Sequence, residues 1–311
     1  MRINNLVFVA TDGHLDELAR RSILSAAMTY ASGELKIFLV SLDCTVPKND
    51  PIFSLVPKNV LITVNITEDT LKSQFPNVMT KEFLSPSGEM TSHWDNAKAH
   101  NQHLAEFSDL AIFSLMKSDP EVEFLYLDSD MISLLPIHAE KSFVVAYDEG
   151  DNGSLYINSS MIFVPKGFEK VKTRWIASLE NEILDKYKFR YGMPGPVAFD
   201  KFLNRSEDLR GFKVDTISKD EINIIHYKDM YKATERALEK GNPVIIDVDH
   251  KGPLLNIPRS AISSALTHSG KDEVELALGV TRDGNPLIID FIKFLPKEIR
   301  GIEYYERLKS K

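Results

Sequence analysis

The chain has 311 residues, 43% of them hydrophobic and 26% charged, enough to bury the core of one large soluble domain or of one domain with an appendage. A net charge of -8 argues against a nucleic-acid backbone as the main partner, because binding phosphates along a duplex needs surplus surface Lys and Arg. The single cysteine, Cys44, excludes an intramolecular disulfide and any cysteine-based zinc site.

The first apolar run, Leu6-Val7-Phe8-Val9-Ala10, reads as a buried parallel strand broken by Thr11-Asp12-Gly13-His14. It is too short for a secretory leader, and no stretch reaches the length of a membrane span, so a cytoplasmic protein is expected. A helical stripe of Leu15, Leu18, Ala19, Ile23, Ala26 and Ala27 follows, then strands at Lys36-Ile37-Phe38-Leu39-Val40 and Val60-Leu61-Ile62-Thr63-Val64. This alternation predicts an α/β fold with a mostly parallel sheet. Residues 74–96, with Pro76, Pro86 and Gly88, read as a loop over the sheet edge, and 98–117 as a helix that Asp119-Pro120 ends.

Next comes Phe124-Leu125-Tyr126-Leu127-Asp128-Ser129-Asp130-Met131-Ile132. Alternate side chains of a strand share a face, so Asp128 and Asp130 are expected to project together from a backbone anchored by the apolar residues before them. Two hard-oxygen ligands in that arrangement outline a Mg²⁺ or Mn²⁺ site that completes its shell with substrate phosphates. Strands are then expected at Phe143-Val144-Val145-Ala146, Leu155-Tyr156-Ile157 and Met161-Ile162-Phe163-Val164, the last two separated by Asn158-Ser159-Ser160. A helix over 168–188 precedes a loop at 189–197, a short helix at 198–203 and a strand at Ile222-Asn223-Ile224-Ile225-His226-Tyr227. Beyond 235 the character changes: strands near 244–247, 274–278 and 287–291, with a hairpin turn at Arg282-Asp283-Gly284-Asn285 and Tyr304-Tyr305 near the end, read as a small α+β extension.

Four of these elements, in this order, resemble nucleotide-sugar glycosyltransferases of the GT-A fold, and among them the retaining family 8 and its relatives. They are the opening strand and turn with Arg21-Ser22-Ile23-Leu24 in its helix, Tyr126-Leu127-Asp128-Ser129-Asp130, Tyr156-Ile157-Asn158-Ser159-Ser160-Met161-Ile162, and Ile224-Ile225-His226-Tyr227 with Lys232. The resemblance covers residues 1–235 and implies a Rossmann-like GT-A catalytic domain, with 236–311 an extension of unknown role. A chain ending near residue 240 is then expected to keep donor binding.

The resemblance implies a hexosyltransferase that moves a sugar from a UDP-sugar to a hydroxyl acceptor on a glycan or other molecule, with retention. It implies Mn²⁺ or Mg²⁺ held by Asp128, Asp130 and His226, stabilising the departing diphosphate, and Lys232 adding charge there. Ala10, Thr11, Asp12, His14 and Ser129 would line the nucleotide, with Asp12 accepting from base or ribose and His14 against the base. The alternative for Asp12 is the N-cap of the following helix. Asp109 stands where family 8 carries Lys or Arg; in other retaining GT-A families an acid after serine, like Ser108-Asp109, bonds sugar hydroxyls, and otherwise it is a solvated helix acid. Asn158 would present its amide to a sugar, and Asp200 resembles an acid near the anomeric carbon.

Two rivals share parts of this pattern. Haloacid-dehalogenase-like phosphatases also place D-x-D after an apolar strand, but their motif opens the domain and is followed by Gly or Thr; here three strands precede it and Met131-Ile132 follow. The other rival is a sugar-nucleotide-binding protein without turnover.

Overall fold

The computed structural model describes residues 3–57, 59–85, 88–137, 143–149, 155–185, 214–217, 239, 244–249, 253–257, 259, 274–282 and 285–294. In chain order the elements are β1 (Asn5–Val9), α1 (Glu17–Thr29), β2 (Lys36–Leu42), α2 (Ile52–Leu55), β3 (Leu61–Ile66), α3 (Glu68–Gln74), α4 (Pro76–Met79), β4 (Glu82–Leu84), β5 (Met90–Ser92), α5 (His93–Ala99) and α6 (His103–Ser118). There follow β6 (Phe124–Leu127), β7 (Met131–Ser133), β8 (Phe143–Glu149), β9 (Leu155–Val164), α7 (Glu169–Asp185), β10 (Val214–Ile217), β11 (Val244–Asp249), β12 (Leu254–Asn256), β13 (Val274–Arg282) and β14 (Asn285–Phe294). Among the described residues no helix is long and apolar enough to cross a membrane.

These elements form two compact units that interleave along the chain. One comprises Met1–His14, Ser32–Asp128 and His138–Ile217; the other Leu15–Ala31, Ser129–Ile137 and Ser218–Lys311. The expected division at 235 does not describe this grouping, since α1 and β7 belong with the C-terminal strands.

The first unit holds a seven-stranded sheet in the order β10-β8-β9-β6-β1-β2-β3. The β10-β8, β6-β1, β1-β2 and β2-β3 pairings are parallel, and only β9 runs against both of its neighbours. The α/β class with a mostly parallel, helix-flanked sheet is therefore as expected. Leu6, Val7, Phe8 and Val9 are all buried, as a parallel strand covered on both faces requires. Val7, Val9, Val40, Phe124, Tyr126, Ile162 and Val164 share one core with Leu71, Phe75, Trp94, Phe107, Phe113 and Trp175 from the helices. Full burial of a side chain such as Phe107 contributes about 1.5–3 kcal/mol.

Several expectations change here. Residues 74–96 are built from short helices and the β4-β5 hairpin, anchored by buried Phe75, Val78, Met79 and Phe83, each element too short to show a periodicity. The helix expected over 98–117 is α6, which begins later, at His103, because the separate helix α5 ends just before it. Ser92 caps α5 by accepting from the Asp95 amide at 3.0 Å, and Asn101, with φ of 57°, ends it in the left-handed conformation. The amides of Asn101 and Gln102 then close back on the Lys98 and Ala97 carbonyls at 3.1 and 2.8 Å. The two strands expected around Asn158 are the single strand β9, whose register against β8 shifts between Val145 and Ala146. Bulges of this kind re-aim a strand locally. Strand β10 was not anticipated.

In the second unit β11, β13 and β14 form a sheet in which β13 and β14 pair as the expected hairpin, Arg282 opposite Asn285. Strand β12, also unanticipated, pairs antiparallel with β7. A polar stripe on α1 holds β7: the Ser22 hydroxyl donates to the Met131 carbonyl, Thr29 Oγ1 to the Ser133 carbonyl at 3.0 Å, and Ser25 Oγ accepts from the Ser133 amide at 2.9 Å. The Tyr30 hydroxyl accepts from the Ile137 amide at 3.0 Å, and burial raises its pKa.

Candidate functional site

Strands β1 and β6 lie side by side and parallel, Leu6 opposite Leu125 and Val7 opposite Tyr126. Their C-terminal ends therefore bring Ala10–His14 and Asp128 to the same edge of the first unit's sheet. Strand β1 is flanked by β2 on one side and β6 on the other, and such a reversal of strand order is where open α/β sheets bind ligands.

The turn after β1 is fixed by its backbone. The Gly13 amide donates to the Ala10 carbonyl at 2.8 Å, and the Ala10 amide to the Val40 carbonyl at 2.8 Å. Gly13 has φ of +74°, and a Cβ there would stand 2.8 Å from the Thr45 carbonyl oxygen, so only glycine fits. Ala10 and Thr11 are buried, and Thr11 accepts from the Leu42 amide at 2.9 Å, which makes both residues parts of the turn's frame. Asp12 and His14 are exposed at its tip. The Asp12 carboxylate accepts from the His14 amide at 2.9 Å, a local turn, and does not cap α1. That cap is Asp16, which accepts from the Ala19 amide at 2.7 Å.

Strand β6 ends at Leu127, so Asp128–Asp130 occupy a turn and strand alternation does not extend across the pair as expected. Alternation still operates up to Asp128: it lies on the Tyr126 side of the strand, and the Tyr126 hydroxyl donates to its Oδ1. The Asp128 amide donates to the Ser160 carbonyl at 2.8 Å, tying the residue to the irregular stretch of β9 that carries Asn158. Tyr126→Phe removes one charge-assisted bond from a half-buried site and is expected to cost about 1–3 kcal/mol in chemical denaturation; an unchanged midpoint contradicts that expectation.

Asp130 belongs to the second unit, where three further residues meet it or its turn. Asn256 Nδ2 donates to Asp130 Oδ1 at 3.0 Å, and the Ile257 amide to the Asp130 carbonyl at 3.0 Å. Arg259 grips Asp16 with two hydrogen bonds, Nε to Oδ2 at 2.7 Å and Nη2 to Oδ1 at 2.8 Å. Its Nη2 also donates to the Ser129 carbonyl at 2.9 Å, and its Nη1 lies 3.7 Å from Asp130 Oδ2. Burial raises the Asp130 pKa; Arg259 pulls it down, Asp16 raises it further, and the Asn256 bond lowers it. None of Tyr126, Asp16, Asn256 or Arg259 was assigned a role from the sequence. The division at 235 separated Asp130 from residues that hold it.

The Arg259 and Asp16 side chains are 19% and 12% exposed, so the pair is poorly screened by solvent. Arg259→Met is expected to destabilise the protein by about 2–4 kcal/mol, because it strands a carboxylate that also caps α1. A loss below about 0.5 kcal/mol in a denaturation titration, the range of ordinary surface substitutions, contradicts that view.

Asp109 on α6 is 7% exposed, which removes the solvated-acid alternative. One turn earlier Glu106 Oε2 stands 3.0 Å from His93 Nε2, a buried pair that the sequence did not announce. Among the described residues no three His, Cys, Asp or Glu side chains form a metal-holding group. His226, Lys232 and Asp200 lie outside the described residues, as do the side chain of Asn158, the elements expected over 198–203 and 222–227, the loop 189–197 and Tyr304-Tyr305.

No protein-family profile matches the chain, and no curated protein does. Solved structures with a similar course of the chain include the PaToxG glycosyltransferase, at 11% identity and a TM-score of 0.46 over 67% of this chain and 70% of that one. They also include the galactosyltransferase LgtC in complex with donor and acceptor sugar analogs, at 12% identity and 0.41 over 71% and 75%. A third is the glycosyltransferase GlyE of Streptococcus pneumoniae TIGR4, at 15% and 0.42 over 81% and 54%.

Proposed function

We propose that this protein is a metal-dependent glycosyltransferase of the GT-A type, transferring a hexosyl group from a UDP-sugar to a hydroxyl acceptor with retention at the anomeric carbon. The observation that carries the reading is the shared C-terminal edge of β1 and β6, which sets the Ala10–His14 turn beside the first carboxylate of Asp128-Ser129-Asp130. The sequence resemblance supplies the reaction and its stereochemistry.

The donor chemistry fits a hard divalent cation such as Mn²⁺ or Mg²⁺. Asp128 and Asp130 offer carboxylate oxygens, and each has Oδ1 held by a neutral donor, the Tyr126 hydroxyl and the Asn256 amide respectively. Outer partners of this kind orient ligating carboxylates. His226 is the third ligand in this reading. The bound ion supplies Lewis-acid stabilisation of the leaving diphosphate. In this reading Asp12 and His14 would meet the base and ribose, Asp109 would bond sugar hydroxyls, and Asn158 and Asp200 would act at the reacting sugar. Lys232 and Ser129 would contact the diphosphate in the same reading.

Thermal-shift measurements with nucleoside diphosphates and sugar nucleotides, with and without Mn²⁺, test the reading. UDP at a hundredfold excess over its Kd stabilises a native site by about 2.7 kcal/mol. A rise in Tm that needs both UDP and Mn²⁺ supports the proposal; no response to any nucleotide contradicts it.

A further inference from the structure

We propose that Asn256 is a positioning residue for Asp130, so that the C-terminal strand β12 is part of the machinery that holds the metal. This rests on the metal reading above. Asn256 is the last residue of β12 and stands directly opposite Met131 in the β7 ladder, one residue along from Asp130. From there it and its neighbour hold Asp130 twice: the Asn256 amide donates to Oδ1 at 3.0 Å, and the Ile257 amide donates to the Asp130 carbonyl at 3.0 Å. The Asn256 amide nitrogen also lies 3.2 Å from Met131 Sδ, which fixes its rotamer from the other side.

The strand is anchored firmly enough to make this a precise support. Leu254, Leu255, Ile257 and Met131 are each 0% exposed. Leu134 and Leu135 donate to the Pro253 carbonyl at 2.8 and 3.1 Å, closing the other end of the short ladder. Asparagine suits the task chemically: its amide donates without a charge that would repel a cation. Aspartate at 256 would set two carboxylates face to face. With Oδ1 taken, Oδ2 is the oxygen that would meet an ion; it is ion-paired with Arg259, whose Nη1 stands 3.7 Å away, so a bound ion would share that oxygen with the guanidinium or displace it. Arg259 is the less direct probe, because replacing it changes the local charge as well as the orientation.

The test uses the full chain with Asn256→Leu and Asn256→Ala, titrated with Mn²⁺ and followed by the electron paramagnetic resonance signal of the free aqueous ion. Loss of an outer-sphere partner is expected to weaken Mn²⁺ binding by about tenfold. The Mn²⁺ concentration for half-maximal UDP release rises in parallel, while turnover at saturating Mn²⁺ stays within about twofold of wild type. A purely structural role would lower turnover in a way excess metal does not restore, and that result overturns the proposal, as does unchanged Mn²⁺ affinity. If Asn256→Leu fails to fold by circular dichroism, Asn256→Ala, which adds no volume, decides. Failure of the wild-type chain to bind Mn²⁺ would remove the metal reading and this inference with it; normal wild-type binding with unaltered variants removes this inference alone.

Discussion

Asp130→Asn is expected to lower UDP release from a UDP-sugar by on the order of 10³-fold, because the metal supplies several kcal/mol of charge stabilisation to the leaving diphosphate. Asparagine keeps an oxygen that can accept from Asn256, and the Arg259 guanidinium keeps both bonds to Asp16. The fold therefore has little reason to change, and the denaturation midpoint should stay close to wild type. Full activity in the folded variant would remove the metal role from the Asp128-Ser129-Asp130 turn.

The second large effect concerns the C-terminal third. The sequence division predicted that a chain ending near residue 240 keeps donor binding; the structure leads to the opposite expectation. Such a chain loses Leu254, Leu255 and Ile257, all 0% exposed, and with them the ladder to β7. At about 1.5–3 kcal/mol for each buried side chain, that loss approaches the whole stability of an ordinary domain, about 5–15 kcal/mol. Asp16 loses Arg259 and Asp130 loses Asn256 in the same cut. The shortened chain should show lost hydrogen-exchange protection in α1 and β7 and no binding of UDP with Mn²⁺. A folded fragment with wild-type UDP affinity would contradict this.

How much of this was legible depended on whether the signal was local. Strands β1 and β6 announce themselves because a strand buried on both faces must be an unbroken apolar run, and Leu6 to Val9 and Phe124 to Leu127 are such runs. The Asp128-Ser129-Asp130 turn was visible for the same reason, as acids stand out directly after an apolar strand. The reason given for their pairing was not right, since β6 stops before the first of them. Two misreadings came from competing local solutions: Asp16 took the helix cap that Asp12 was a candidate for, and Asn101, in the left-handed conformation, ends α5 so that the expected helix starts at His103. Strand β12 is three residues long, and its partner β7 lies some 120 positions earlier. Arg259 and Asp16 are separated by 243 positions, and no spacing rule connects them. Contacts of that kind exist only in the folded chain, and they are the ones that hold the second aspartate.

The claim at the centre of this account is that the edge formed by β1, β6 and the Asp128-Ser129-Asp130 turn binds a sugar nucleotide through a divalent cation and cleaves it. The measurement that bears on it most directly is UDP release from a panel of UDP-sugars by the purified full-length protein, with Mn²⁺ and again after chelation. Without an acceptor, slow hydrolysis of the matching donor is still expected. UDP release from at least one donor, lost on chelation and restored by added Mn²⁺, is the predicted result. UDP release that persists unchanged after chelation, release of inorganic phosphate instead, or binding without release of either would contradict it.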